Sequence, residues 1–177
     1  DTVAFGTQLE INNRHYEGIK HSIYAKSPKE ELPRVMIGGD SCKQPYSASL
    51  FNISAMSFGS LSYRAQISLN RGAKKGNFYH NTGEGGISPY HLEGGGDLVW
   101  QIGTGYFGCR DDEGKFNPEL FEKYSQLPNV KMVEIKLSQG AKPGHGGVLP
   151  GVKNTPEIAA IRHVTPGMTI ISPPSHS

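Results

Sequence analysis

Apolar runs in this chain end repeatedly in glycine-rich polar segments, and amphipathic stretches of helical period follow them. The run over residues 50–56 ends at Ser57, Phe58, Gly59 and Ser60. Ser62 then serves as a helix N-cap, Ala65, Leu69 and Ala73 form an i, i+4 stripe, and Gly76 is the stop. Residues 78–80 run into 81–86 (NTGEGG), and residues 98–102 run into Gly103, Thr104, Gly105, Tyr106, Phe107 and Gly108. Residues 130–137 form the clearest strand, followed by a loop over 138–151 (SQGAKPGHGGVLPG). Asn117 caps a helix with Pro118 in its first turn and Leu120, Phe121 and Tyr124 inward. Thr155 starts another with Ile158 and Ile161 inward, Gly167 ends it, and residues 169–172 are the next strand. Such alternation builds a parallel sheet with crossover helices. A doubly wound sheet and a (β/α)8 barrel both satisfy it. The barrel is favoured because polar loops follow several different strands, where barrel enzymes assemble their sites. The expected fold class is α/β: a partial (β/α)8 TIM barrel over residues 50–177, roughly its first four to five strands, after an irregular lead-in over residues 1–49 packing on the barrel.

Composition narrows the function classes. Glycine makes up 23 of 177 residues, nearly twice the usual ~7%, but it sits in clusters between apolar runs, unlike a disordered chain. A net charge of +2 argues against a nucleic-acid or anionic-membrane partner. No apolar run reaches the ~18 residues of a membrane span, and no signal peptide opens the chain. Two cysteines, Cys42 and Cys109, make neither a disulfide framework nor a metal knuckle, so a cytoplasmic setting is expected. The chain opens at Asp1 and stops at Ser177, just after a strand pattern; a piece of a longer protein is expected.

Several residues could carry chemistry. Gly103, Gly105 and Gly108 match the dinucleotide-binding spacing, but a turn-like segment, 109–114, follows where that fingerprint needs a helix. Glu84 sits among glycines at a strand end, either as a solvated acid in a tight turn or as an acid pointing into a cleft. Strand alternation places Met132, Glu134 and Lys136 on one face and Val133, Ile135 and Leu137 on the other. The apolar face should meet helices, which leaves Lys136 facing inward at the rim, where it demands an anionic partner. That partner is either an anionic ligand or Glu134. The 138–151 loop reads as a mobile ligand loop whose Lys142 and His145 could neutralise carboxylates, or as a flexible surface excursion. No histidine shows metal-ligand spacing.

Four segments then carry a resemblance: 53–62 (ISAMSFGSLS), 81–86 (NTGEGG), 134–151 (EIKLSQGAKPGHGGVLPG) and 171–176 (ISPPSH). In this order they resemble the FMN-binding synthase domain of the glutamate synthase large subunit. Residues 45–49 (PYSAS) and 87–92 (ISPYHL) extend the likeness to the stand-alone FMN-binding glutamate synthase family, which lacks the glutaminase domain. The resemblance implies a (β/α)8 barrel with FMN at its C-terminal mouth. It implies reductive amination of 2-oxoglutarate, ammonia forming 2-iminoglutarate and hydride passing from reduced flavin to give L-glutamate. By motif, Ala55, Met56, Ser57 and Asn81 would line the cofactor. Lys136 would stand at flavin and 2-oxo acid, Glu84 would be a second catalytic residue beside the flavin, and Gln139, Lys142 and Ser57 would hold substrate. A 3Fe–4S cluster is implied, with ligands beyond the point where this chain ends, as is an electron donor, ferredoxin or an NADPH-linked partner. The phosphate-binding loops of late barrel strands are absent, so this stretch alone is expected to hold FMN weakly. The alternatives are a related FMN barrel acting on another amine, such as an N-methylglutamate synthase, and a non-catalytic flavin-binding subunit.

Overall fold

The computed structural model describes residues 18, 20, 22–27, 31–139 and 146–175. The chain divides into two compact units, Asp1–Leu32 and Pro33–Ser177. In the first, Ser22 Oγ donates to the Tyr24 carbonyl at 3.1 Å, and Ile23 and Tyr24 are exposed. The second carries the sheets and helices.

It opens with an antiparallel hairpin, β1 (Arg34–Ile37) and β2 (Tyr46–Ser49). Arg34 Nη1 donates to the Asn77 carbonyl at 2.7 Å, and the Tyr46 hydroxyl donates to Asp97 Oδ2 at 2.9 Å. Both anchors lie just before parallel strands, so the hairpin borders their N-terminal ends. Helix α1 (Tyr63–Gly76) follows, then β3 (His80–Asn81), α2 (Pro89–Glu93), β4 (Leu98–Ile102), α3 (Pro118–Ser125) and β5 (Val130–Ile135). Strands β3, β4 and β5 form a parallel sheet in that order. The expected strand over 50–56 contracts to a single parallel bridge, Ile53 with His80. Leu50 and Phe51 are exposed, so nothing holds their side of a ladder. The α/β class with a parallel sheet is what the alternation predicts.

The predicted caps form. Ser62, Asn117 and Thr155 each accept a backbone N–H three residues on, from Ala65, Leu120 and Ile158. The inner face of α1 differs from expectation: Gln66, Asn70 and Ala73 are buried, with Ala65 and Leu69 only half-buried. Specific hydrogen bonds turn the helix. Gln66 Nε2 donates to the Met56 carbonyl at 2.7 Å, and Asn70 Oδ1 accepts from Gly96 N at 3.0 Å. Gly76 belongs to the helix, which closes instead at left-handed Asn77. Trp100, fully buried, stacks on Phe121 and meets Tyr124 edge-on, seating α3 against β4 beside Leu98 and Ile102.

Beyond β5 the pattern changes. Strand β6 (Val148–Leu149) pairs antiparallel with β7 (Ile170–Ile171), and α4 (Pro156–Arg162) lies between them in sequence after a 3₁₀ turn at Gly151–Lys153. Residues 169–172, expected as the next parallel strand, thus form a ribbon of opposite sense. Helix α4 ends at Arg162 with left-handed His163 as its cap; Gly167 lies in the turn beyond. Phe58, Phe107, Leu149, Ile158 and Ile170 form a second core that joins this ribbon and α4 to the loops after the parallel strands. The outer face of β5 departs from expectation as well: Val133, Ile135 and Leu137 are 38%, 66% and 68% exposed, so no helix among the described residues covers them.

Candidate functional site

The loops at the C-terminal ends of Ile53, β3, β4 and β5 converge. A cleft of about 250 Å³ is lined by Ala55, Met56, Ser57, Gly83, Glu84, Gln101 and Lys136, among others. A second, of about 200 Å³, adjoins it through shared Ser57, Ser60 and Glu84 and continues to Phe107, Arg162 and Ser172. Glu84 is therefore the wall between them.

Two glycines make room for that acid. A Cβ on Gly103, at the end of β4, would stand 2.5 Å from Glu84 Oε2. Gly83, at φ +70°, packs so closely on the preceding loop that its Cβ would meet Ser57 N at 2.5 Å. Glycine is thus required here both by conformation and by close approach. Lys136 Nζ lies 3.1 Å from Glu84 Oε2, with the two side chains 29% and 17% exposed. Gln139 Nε2 donates to the same carboxylate, 3.0 Å from Oε2 and 3.3 Å from Oε1. The anionic partner Lys136 demands is Glu84, not Glu134. Glu134 instead accepts from Asn81 Nδ2 at 2.8 Å and from Gln101 Nε2.

Of the residues singled out in the sequence, Ala55, Met56, Ser57, Glu84 and Lys136 share one cleft, and Gln139 reaches it through Glu84. Asn81 does not line it. Its side chain faces Glu134 in a neighbouring cavity of about 420 Å³, and its Oδ1 accepts from Gly83 N at 3.0 Å. Lys142 and His145 lie outside the described residues.

Arg162 is a site residue the sequence reading missed. It is 5% exposed, and its Nη2 donates to the Phe58 carbonyl at 3.1 Å and approaches Ser57 Oγ at 3.5 Å. Burial pushes its pKa below the ordinary arginine value, and the Glu84 charge opposes that shift. The available signal was its spacing: Arg162 follows inward Ile158 by four residues, so a helix places it on the same face. Gln101 was hidden differently, as a polar residue inside an apolar strand. The Gly103–Gly108 segment turns, with Tyr106 and Gly108 at positive φ, and no helix follows within it.

Among the described residues no group of three or more His, Cys, Asp or Glu is placed to hold a metal ion. Cys42 is exposed; Cys109 is buried, and burial pushes its thiol up to about 11. Nor is any helix among them long and apolar enough to cross a membrane.

A family model described as a conserved region in glutamate synthase matches residues 8–177. The chain belongs to the glutamate synthase family. It is 44% identical over 161 residues to the glutamate synthase large subunit-like protein YerD of Bacillus subtilis (strain 168), covering 90% of this chain and 30% of that protein. The ferredoxin-dependent glutamate synthase of Cyanidium caldarium is 34% identical over 199 residues, covering 94% of this chain and 12% of the relative. The archaeal-type NADPH glutamate synthase of Thermotoga sp. (strain RQ2) is 38% identical over 122 residues, covering 69% and 22%. The chain thus spans less than a third of these glutamate synthase relatives. Segments 53–62 and 81–86 and the start of segment 134–151 meet at Glu84.

Proposed function

We propose that this chain forms the flavin-facing part of a glutamate synthase-type oxidoreductase that converts 2-oxoglutarate and ammonia to L-glutamate. The observation that carries the reading is the convergence of Lys136, Glu84 and Gln139 on the loop carrying Ala55, Met56 and Ser57. The fold reading goes with it: Ile53, β3, β4 and β5 follow one another in parallel order, as the first strands of a (β/α)8 barrel do.

The residues present fit a flavin at its polar edge. Small Ala55, Ser57 and Gly83 leave the cleft open beside the Lys136 ammonium and the Gln101 amide. FMN, when bound, supplies the hydride for imine reduction. Lys136 Nζ offers a preorganised cation where negative charge gathers, at the flavin or on a substrate carboxylate. Arg162 provides a second cation in the adjoining cleft, suited to a dicarboxylate. Gln139 orients Glu84, whose Oε2 is the proton-handling atom nearest the Lys136 ammonium. Phe107 and Leu149 give the cleft an apolar wall that limits water. A 3Fe–4S cluster does not fit this chain: two cysteines, one exposed and one buried, make no cluster site. Relatives named as ferredoxin-dependent and as NADPH enzymes support an electron donor of one of those kinds. A cytoplasmic location completes the reading.

The test is made on the intact protein carrying this chain. Purified protein is expected to show a flavin spectrum and to form L-glutamate from 2-oxoglutarate and ammonium with a chemical or protein reductant. Flavin-free protein without glutamate formation overturns the proposal. Turnover with methylamine but not ammonium assigns the N-methylglutamate alternative instead.

A further inference from the structure

The polar row beneath the cleft is as well organised as the cleft. On one face of the parallel sheet stand Asn81 of β3, Gln101 of β4 and Glu134 of β5; Gln101 and Glu134 are register partners. Glu134 Oε2 accepts from both amides, Asn81 Nδ2 at 2.8 Å and Gln101 Nε2. The other end of the Asn81 amide is committed too, since its Oδ1 accepts from Gly83 N at 3.0 Å. Gly83 opens the turn that presents Glu84 to Lys136 at 3.1 Å, and Lys136 lies two residues beyond Glu134, just past the end of β5.

These contacts close a circuit: Glu134, Asn81, Gly83, Glu84, Lys136 and back along β5. An Asn side chain has an acceptor end and a donor end. With a carboxylate on one side and a backbone N–H on the other, a single orientation of Asn81 satisfies both. The same carboxylate takes the Nε2 end of Gln101, a residue that lines both the cleft and the neighbouring cavity.

We propose that Glu134 is a positioning residue for the Glu84–Lys136 pair, acting through the Asn81 amide, and that it also fixes which end of the Gln101 amide faces β5. The role uses hydrogen-bond acceptance at one oxygen; the negative charge itself is not required. It rests on the proposed synthase reading for its functional consequence, while its geometric part stands independently.

The experiment compares Glu134→Gln, Glu134→Leu, Asn81→Asp and the double variant Asn81→Asp/Glu134→Gln in the intact protein. Glutamate formation and crystal structures of the variants are the two readouts. Glu134→Gln keeps a carbonyl oxygen for both amides and is expected within about twofold of wild-type kcat/KM. Glu134→Leu frees both amides and is expected to lose at least tenfold, with Glu84 displaced from Lys136. Asn81→Asp sets one carboxylate against another and is expected to lose similarly; pairing it with Glu134→Gln restores a donor between them and is expected to recover the rate in part, since the amide NH2 now turned to position 81 also faces Gln101 Nε2 and turns that amide. Equal loss in Glu134→Gln and Glu134→Leu shows that the charge is used and overturns the proposal. So does an unmoved Glu84 in Glu134→Leu. If Glu134→Leu does not fold, the Asn81→Asp loss and its recovery in the double variant decide the matter. A wild-type protein that makes no glutamate defeats the synthase reading alone, and the variant structures still test the circuit.

Discussion

Gly83 offers a quantitative test of the close approach on which the site depends. An alanine there meets two separate penalties. The first is conformational: at φ +70°, an L-residue costs about 1–2 kcal/mol. The second is steric. Its Cβ would lie 2.5 Å from Ser57 N and 2.9 Å from both Met56 C and Ser57 Cα, all backbone atoms that no rotamer change can move aside. Overpacking of this kind costs about 1–3 kcal/mol more. Gly83→Ala is therefore expected to destabilise the domain by about 2–5 kcal/mol. Gly167→Ala isolates the first penalty, because φ is +77° and nothing lies within 4 Å of the new methyl; about 1–2 kcal/mol is expected. Gly39→Ala meets neither and should stay within about 0.5 kcal/mol of wild type. Urea unfolding of the intact protein, followed by near-ultraviolet circular dichroism, ranks the three. If Gly83→Ala proves no worse than Gly167→Ala, the 83–86 turn and the Ser57 loop are not in rigid contact, and the account of how Glu84 is placed is wrong.

Lys136→Met removes the cation from Glu84 and is expected to lower glutamate formation by about 10²–10³-fold with the fold intact by circular dichroism; an unchanged rate removes Lys136 from the mechanism. Arg162→Leu takes the donor from the buried Phe58 carbonyl and is expected to cost about 1–3 kcal/mol in denaturant titrations; no loss of stability excludes this tie. His80 and His91 are buried with ring centroids 5.3 Å apart, and burial lowers their pKa values from 6.5 to about 4 and about 3. Both are neutral when folded, whereas the unfolded chain binds protons near pH 6.5. Their contribution is thus fully present above about pH 6.5 and is lost as pH falls toward 4. His80→Leu is expected to flatten that acid limb in pH-dependent unfolding, and an unaltered limb refutes the assignment.

What was legible in the sequence was local or periodic. Ser62, Asn117 and Thr155 announce helix starts because a side-chain oxygen reaches an N–H three residues away, and all three do so. Strand alternation correctly separated Glu134 and Lys136 from Val133 and Ile135. The failures came from partners distant in sequence. Helix α1 buries Gln66 and Asn70 because Met56 and Gly96 offer them backbone groups, which a hydrophobic stripe does not encode. The 50–56 run is apolar enough for a strand, but only Ile53 finds a ladder partner. Residues 169–172 pair with β6 in the opposite sense because the loop before them folds back, a choice made by the packing of Leu149 and Ile170 around Phe107.

The two acids of the site divide the work through what surrounds them. Glu134 in β5 and Lys136 just past its end share one side of the chain, about 6.8 Å apart if it is extended, so a direct pair was one of the two expectations. Two neutral amides satisfy Glu134 instead, and both come from rigid adjacent strands. That leaves Lys136 to Glu84, which stands on a glycine turn rather than on a strand. Glu84 is held by Lys136 and Gln139, the groups an arriving carboxylate would engage. On the proposed reading, an anionic ligand would compete with Glu84 for Lys136 and Gln139 and leave the Glu134 row undisturbed. The acid on the sheet would then keep the frame, and the acid on the turn would exchange partners.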